Sequence, residues 1–274
     1  GNISRIEFTI VLEYADYTIQ YDFDGGSLEE GKTNPETFSI YDSFTLNNPS
    51  KKGHTFIGWT GSNGNIPQIN VSIETNTYEN KEFKANYTAN PYTKTVRYIY
   101  EDGREASIPK AYTVEYGQNY KIMSPEILGY TASENEISGV MDDNNETITV
   151  IYSANTDTKY KVEHYKENIE NEEYTLFETE DKEGTTDTNT VAESKGYEGF
   201  TVQEFTQANI NGDESTVIKI YYDRNEYSLT IKYEYSDGSK VADDVVQILK
   251  YEQNYKITSP SKAGYTKTIS EVSG

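Results

Sequence analysis

A strand pattern that closes on tyrosine, pauses for a few polar residues and starts again recurs four times in this chain. It runs through Phe8, Ile10, Leu12 and Tyr14 into Tyr17, through Phe83, Ala85 and Tyr87 into Tyr92, through Ile148, Val150 and Tyr152 into Tyr160, and through Ile218, Ile220 and Tyr222 into Tyr227. The closing tyrosines Tyr14, Tyr87, Tyr152 and Tyr222 lie 73, 65 and 70 residues apart. A fixed period of this length marks one supersecondary unit repeated in tandem. The expected division is an orphan closing strand in residues 1–16, modules at 17–90, 91–155 and 156–224, and a shortened copy at 225–274.

A module of about 70 residues buries only a small core, and with no cysteine in the chain packing alone must hold it. Twenty-six tyrosines against one Trp and two Met show which residue is used. A tyrosine ring buries apolar area while its hydroxyl reaches the rim, which suits thin sheets washed by solvent. The net charge of −22 argues against nucleic acid and against an anionic membrane surface, both of which need basic patches. No run of 18 apolar residues is present, so no helical membrane span is expected.

The first module holds an Asp24-Gly25-Gly26 turn, Phe38, Phe44, and a block from Pro49 through Lys51, Lys52, Gly53, His54, Thr55, Phe56, Ile57 and Gly58 to Trp59. These residues resemble the Listeria–Bacteroides repeat, the internalin-type B-repeat, although that family usually has Tyr where His54 stands. The second module opens on Val96, Tyr98, Glu101, Asp102 and Gly103 and continues through Gly117, Tyr120, Gly129 and Tyr130. That spacing resembles the MucBP (mucin-binding protein) repeat. The third module is a divergent relative of it, with Gly196-Tyr197 and Asn211-Gly212 in place. The fourth repeats the second without gaps: residues 231–274 match 96–139 at 18 of 44 positions. The resemblance implies a β-rich α+β fold class, small β-grasp-like modules in which a sheet wraps one short helix or turn. Residues 103–110 are the candidate helix, limited by Pro109.

Candidate chemistry is sparse. His54 and His164 lie in different modules, and His164 stands where Tyr98 and Tyr233 stand in related units, so it reads as packing rather than as a base. Neither a Ser–His–Asp constellation nor an ordinary zinc site can be assembled. Glu101 and Asp102 sit at a predicted turn. The loops at 142–146 and 211–214 are oxygen-rich as calcium requires, yet hairpin turns favour the same Asp, Asn and Gly types. Trp59, set between glycines, reads as core rather than as a sugar platform. No catalytic residue, cofactor site or metal site is assigned.

The resulting expectation is a non-enzymatic, extracellular segment of a bacterial cell-surface protein, a stalk or spacer in an adhesin, anchored to the cell wall through other parts. With modules roughly 25–30 Å across by size scaling, the array is expected to reach about 100 Å. A glycan- or mucin-binding module stays open as the second reading, with glycans or host matrix proteins as partners. Gly1 and ends that cut through the repeat lead us to expect an excised piece. On that view the strand at 6–14 of one copy would complete the fourth module of the next, head to tail.

Overall fold

The computed structural model describes residue 1 and residues 5–274. Every regular element among them is a β-strand, which corrects the α+β expectation to an all-β fold and leaves no helix of the β-grasp kind among the described residues. The segment offered to a helix turns instead into strand Glu105–Glu115. Ile108, Tyr112, Thr113 and Val114 favour extended backbone. The strand is also the outermost of its sheet, where Pro109, lacking an N–H, forfeits no ladder bond. Val96 pairs with Lys110 but Tyr98 with Ser107, so Ile108 and Pro109 together oppose Arg97 in a bulge.

The chain divides into two compact units, Gly1–Pro125 with Ser133–Ile151, and Glu126–Ala132 with Tyr152–Gly274. In the first unit a five-stranded sheet runs in the order Thr37–Phe38, Tyr17–Asp22, Lys81–Ala89, His54–Gly61, Gly64–Gln68. Tyr17–Asp22 and Lys81–Ala89 are parallel, with Ile19 opposite Lys81 and Tyr21 opposite Phe83. Ile19, Phe38, Leu46, Trp59, Val71, Ile73, Phe83 and Ala85 form the core beneath. Further along, Pro91–Tyr100 lies between Glu105–Glu115 and residues 146–151 of the next strand, and Asn119–Met123 pairs antiparallel with Glu136–Val140. Residues 5–16 join no strand, and Phe8, Ile10, Leu12 and Tyr14, the face expected to close a sheet, are exposed.

In the second unit the sheet order is Tyr174–Gly184, Thr158–Glu167, Val217–Arg224, Phe200–Val202. The two middle strands are again parallel, Val162 opposite Ile218 and His164 opposite Ile220. Alternation in the sequence becomes alternation in burial: Tyr160, Val162 and His164 point inward from one strand, and Ile218, Ile220 and Tyr222 from its neighbour. With Ala192 and Ile210 the apolar members of this set form a second core, distinct from the first. The hairpin Glu226–Glu234 with Lys240–Lys250 follows. It is thinly covered, with Val246 and Ile248 exposed and only Ile257 buried beyond it.

The separation of the two cores sets a first expected outcome. Trp59, the single tryptophan, is fully buried in the first core and reports on it by fluorescence. Ile220→Ala removes a fully buried side chain from the second core and should destabilise it by about 2–5 kcal/mol. Urea unfolding followed by Trp59 emission should keep its midpoint, while the circular-dichroism transition gains an earlier phase. A Trp59 midpoint that moves with the substitution would show one shared core.

Candidate functional site

The structure brings together a set of residues that the four-fold seam contains but that its tyrosines do not reveal. Three residues beyond each of the closing residues Tyr87, Tyr152 and Tyr222 stands an asparagine: Asn90, Asn155 and Asn225. Earlier in each module a glycine, an aromatic residue and a threonine stand in a row: Gly53-His54-Thr55, Gly129-Tyr130-Thr131 and Gly199-Phe200-Thr201. In all three copies the Asn backbone N–H donates to the glycine carbonyl, at 2.9 Å to Gly53, 2.8 Å to Gly129 and 2.8 Å to Gly199. The threonine hydroxyl donates to the Asn Oδ1, at 2.5 Å from Thr55, 2.7 Å from Thr131 and 2.6 Å from Thr201. The Asn carbonyl then accepts an N–H from the segment that follows: Tyr116 at 2.9 Å, Thr186 at 3.0 Å and Tyr251 at 2.8 Å. One linker residue thus ties the strand behind it to the strands ahead.

Glycine is required here for two reasons. Gly53 and Gly199 have φ of +72° and +76°, the left-handed region that other residues enter only with strain. A Cβ at either position would also fall inside a ring, 2.2 Å from Cγ of Tyr116 and 2.1 Å from Cγ of Tyr251. The bare backbone is therefore the floor on which the next segment's tyrosine lies. The aromatic that follows completes the contact, His54 edge-on to Tyr116 at 5.4 Å and Phe200 edge-on to Tyr251 at 6.1 Å. At the middle copy, Tyr130 donates its hydroxyl to Asp187 at 2.6 Å.

Ion pairs flank two of these joints. Lys52 meets Asp143 at 3.1 Å. Arg224 bonds the Tyr251 carbonyl and Glu252, each at 2.9 Å, and donates its backbone N–H and Nε to Glu167. Glu167, almost fully buried, also pairs with Lys250. The Gly, Thr and Asn shared by the three joints carry no titratable group. Their capacity is mechanical: each neutral hydrogen bond is worth about 0.5–1.5 kcal/mol net, and together they fix the direction in which the chain proceeds.

The residues singled out in the sequence lie apart from one another. Trp59 has no exposed face, and its indole N–H donates to Asn48 at 3.0 Å. His54 belongs to the first joint. Asp102 accepts the N–H and the Nε–H of Arg104, which holds its carboxyl below the ordinary range. In the 142–146 loop, Asp142 and Glu146 are both engaged by the buried ammonium of Lys94, at 2.8 and 2.9 Å. In the other oxygen-rich loop Asp213 accepts from the N–H and hydroxyl of Ser215. Among the described residues no three His, Asp or Glu side chains converge as metal ligands. His164 is fully buried, its Nδ1 is 2.9 Å from the Tyr222 hydroxyl, and its Nε2 has no hydrogen-bond partner. Burial pushes its pKa down, against the partial pull of Glu180, whose Oε1 lies 3.9 Å away.

The MucBP domain model matches residues 95–153 and 228–273. A search of curated proteins finds no match. Among solved structures, the chain is similar to the type 2 repeat of the mucus binding protein MUB from Lactobacillus reuteri, at 15% identity and a TM-score of 0.22, over 51% of this chain and 99% of that one. It is similar also to the Bacillus anthracis TIE protein, at 10% identity and a TM-score of 0.33, over 96% and 71% of the two chains. A streptococcal ancillary pilin gives 11% identity and a TM-score of 0.23, over 77% and 99%.

Two outcomes follow from this geometry. Gly199→Ala forces a Cβ into the Tyr251 ring and should destabilise the joint by more than about 1 kcal/mol, whereas Asn225→Ala keeps the backbone bonds and should lose about 1 kcal/mol. Amide exchange at Tyr251 should therefore speed up far more in the glycine variant, and unchanged exchange there would refute the joint. For His164, the unfolded imidazole titrates near its ordinary 6.5 and the folded one below it. Its share of stability is thus complete above pH about 6.5 and is lost on acidification toward the folded value. His164→Tyr, the residue that related units carry, should flatten the dependence of the second core's urea midpoint between pH 7 and 5.

Proposed function

We propose that this chain is a non-enzymatic, extracellular repeat segment of a bacterial cell-surface adhesin, and that its task is to space and orient what the parent protein displays. The observation that carries this reading is the thrice-repeated Gly–Thr–Asn joint. A flexible linker would need none of these bonds; a spacer that transmits direction is served by them, and three of the four seams carry them. On this reading residues 91–155 and 225–274 are MucBP-like units, 156–224 is a divergent one, and 17–90 is an internalin-type B-repeat. The block from Pro49 to Trp59 supports the last assignment.

A second reading, direct binding of mucin or other glycans, is favoured by the two MucBP matches. The spacer reading is tested by double electron–electron resonance. The chain has no cysteine, so two spin labels can be placed cleanly at the exposed Ser62 and Lys110. The native chain should show one narrow distance distribution, and Gly53→Val, which drives a side chain into Tyr116, should broaden it. A broad distribution in the native chain would dismiss the spacer.

A further inference from the structure

We propose that the cavity walled by Phe177, Tyr197, Phe200 and Tyr251 binds an acidic sugar, a pyranose that carries a carboxylate or sulfate beside its ring, with Lys166 as the group that receives the charge. This inference rests on the glycan-binding reading; Lys166, Phe177, Tyr197 and Phe200 lie outside the segments that match the MucBP model, and Tyr251 lies within the second of them.

The cavity measures about 490 Å³, within the range of small-molecule sites. Among its lining residues the Lys166 ammonium faces three rings, 3.4 Å from the centroid of Phe177, 4.1 Å from Tyr197 and 4.9 Å from Phe200. Ring faces offset a cation in part, but among the described residues no carboxylate lies within 4 Å of this one. Burial also pushes its pKa down, against the weaker pull of Glu252 and Glu178. The other charges around the cavity are already committed: Arg224 to Glu252, and Glu167 to Lys250 and to the Arg224 backbone. Glu198 at the rim is exposed. A partly desolvated ammonium with no carboxylate in ion-pair contact is what an anionic ligand would complete.

The walls define the rest of the ligand. Phe177 is 56% and Leu176 46% exposed, leaving apolar surface against which the C–H face of a pyranose can lie. Asn168 and Thr175 line the same cavity and supply polar atoms for hydroxyls. The chain's charge of −22 does not forbid an anion here. At physiological salt charges beyond roughly 8 Å are screened, so the nearest groups decide.

The test uses the intact chain and three sugars that share one ring: glucuronate, glucose 6-sulfate and glucose, titrated by calorimetry or saturation-transfer NMR. The acids should bind at least tenfold more tightly than glucose. Lys166→Met, which keeps the stem against the rings, should bring them down to the level of glucose, and Phe177→Ala should weaken all three. Equal binding of glucose and the acids, acid binding unchanged by Lys166→Met, or no binding of any sugar would each overturn the inference. An array of neutral oligosaccharides run in parallel separates the two levels of the claim. Neutral glycans captured while the acids fail removes the acidic-sugar site and keeps glycan binding; silence in both removes both.

Discussion

The pairing of the first and last strands of a module as parallel neighbours is the constraint from which the rest follows. It joins Tyr17–Asp22 to Lys81–Ala89 and Thr158–Glu167 to Val217–Arg224. Two adjacent strands that run the same way cannot be joined by a tight hairpin, so everything between them must cross the sheet and return. That intervening chain supplies the lid of each core, Leu46, Val71 and Ile73 in one case and Ala192 and Ile210 in the other. The same pairing makes the chain leave a sheet at the end opposite its entry, and the residue at that exit is the joint asparagine.

The joint is economical because it uses backbone where other linkers use side chains. The Asn N–H and carbonyl are each satisfied by main-chain partners on either side, so the seam carries few orphan groups. Its side-chain amide oxygen is taken by a threonine. At the first and third joints only glycine admits the tyrosine ring that follows. What varies between copies is the aromatic beside that glycine, His54, Tyr130 or Phe200, and the residue ahead that bonds the asparagine carbonyl, Tyr116, Thr186 or Tyr251.

Charge is handled in two ways. Most of the acidic excess is exposed and solvated, where an ion pair is worth little. A few ions are drawn inward and tied down: Lys94 by Asp142 and Glu146, and Glu167 by Lys250 and the Arg224 main chain. Lys166, held by rings instead of by acid, departs from that pattern. The oxygen-rich loop at 142–146 is likewise explained without an ion, since its carboxylates neutralise a lysine.

Much of the fold could be read from alternation alone. The inward set Tyr160, Val162, His164, Ile218, Ile220 and Tyr222 is visible as every second residue, because a strand's period of two maps position directly onto burial. The burial of Trp59 does not follow from alternation, since a register shift between Phe56 and Gly58 turns it inward; its place beside glycines is what made it legible. His164 was legible from the tyrosines that stand at its position in related units, while the strand expected at 6–14 joins no sheet despite equally clean alternation. The helix expected at 103–110 failed because propensity is local, whereas a proline-bearing strand is allowed by being at a sheet edge, which is a tertiary fact. The joint was half legible: its Gly-aromatic-Thr and Asn recur in plain sight, but residues 26 or 37 positions apart declare themselves partners only when folding closes the distance. The cavity at Lys166 was not legible at all, since Phe177, Tyr197 and Phe200 share no periodicity with Lys166 and converge on it only through the sheet. Sequence, then, determined which strand faces are buried; tertiary structure decided which groups meet, because contact depends on strand pairing and not on spacing along the chain.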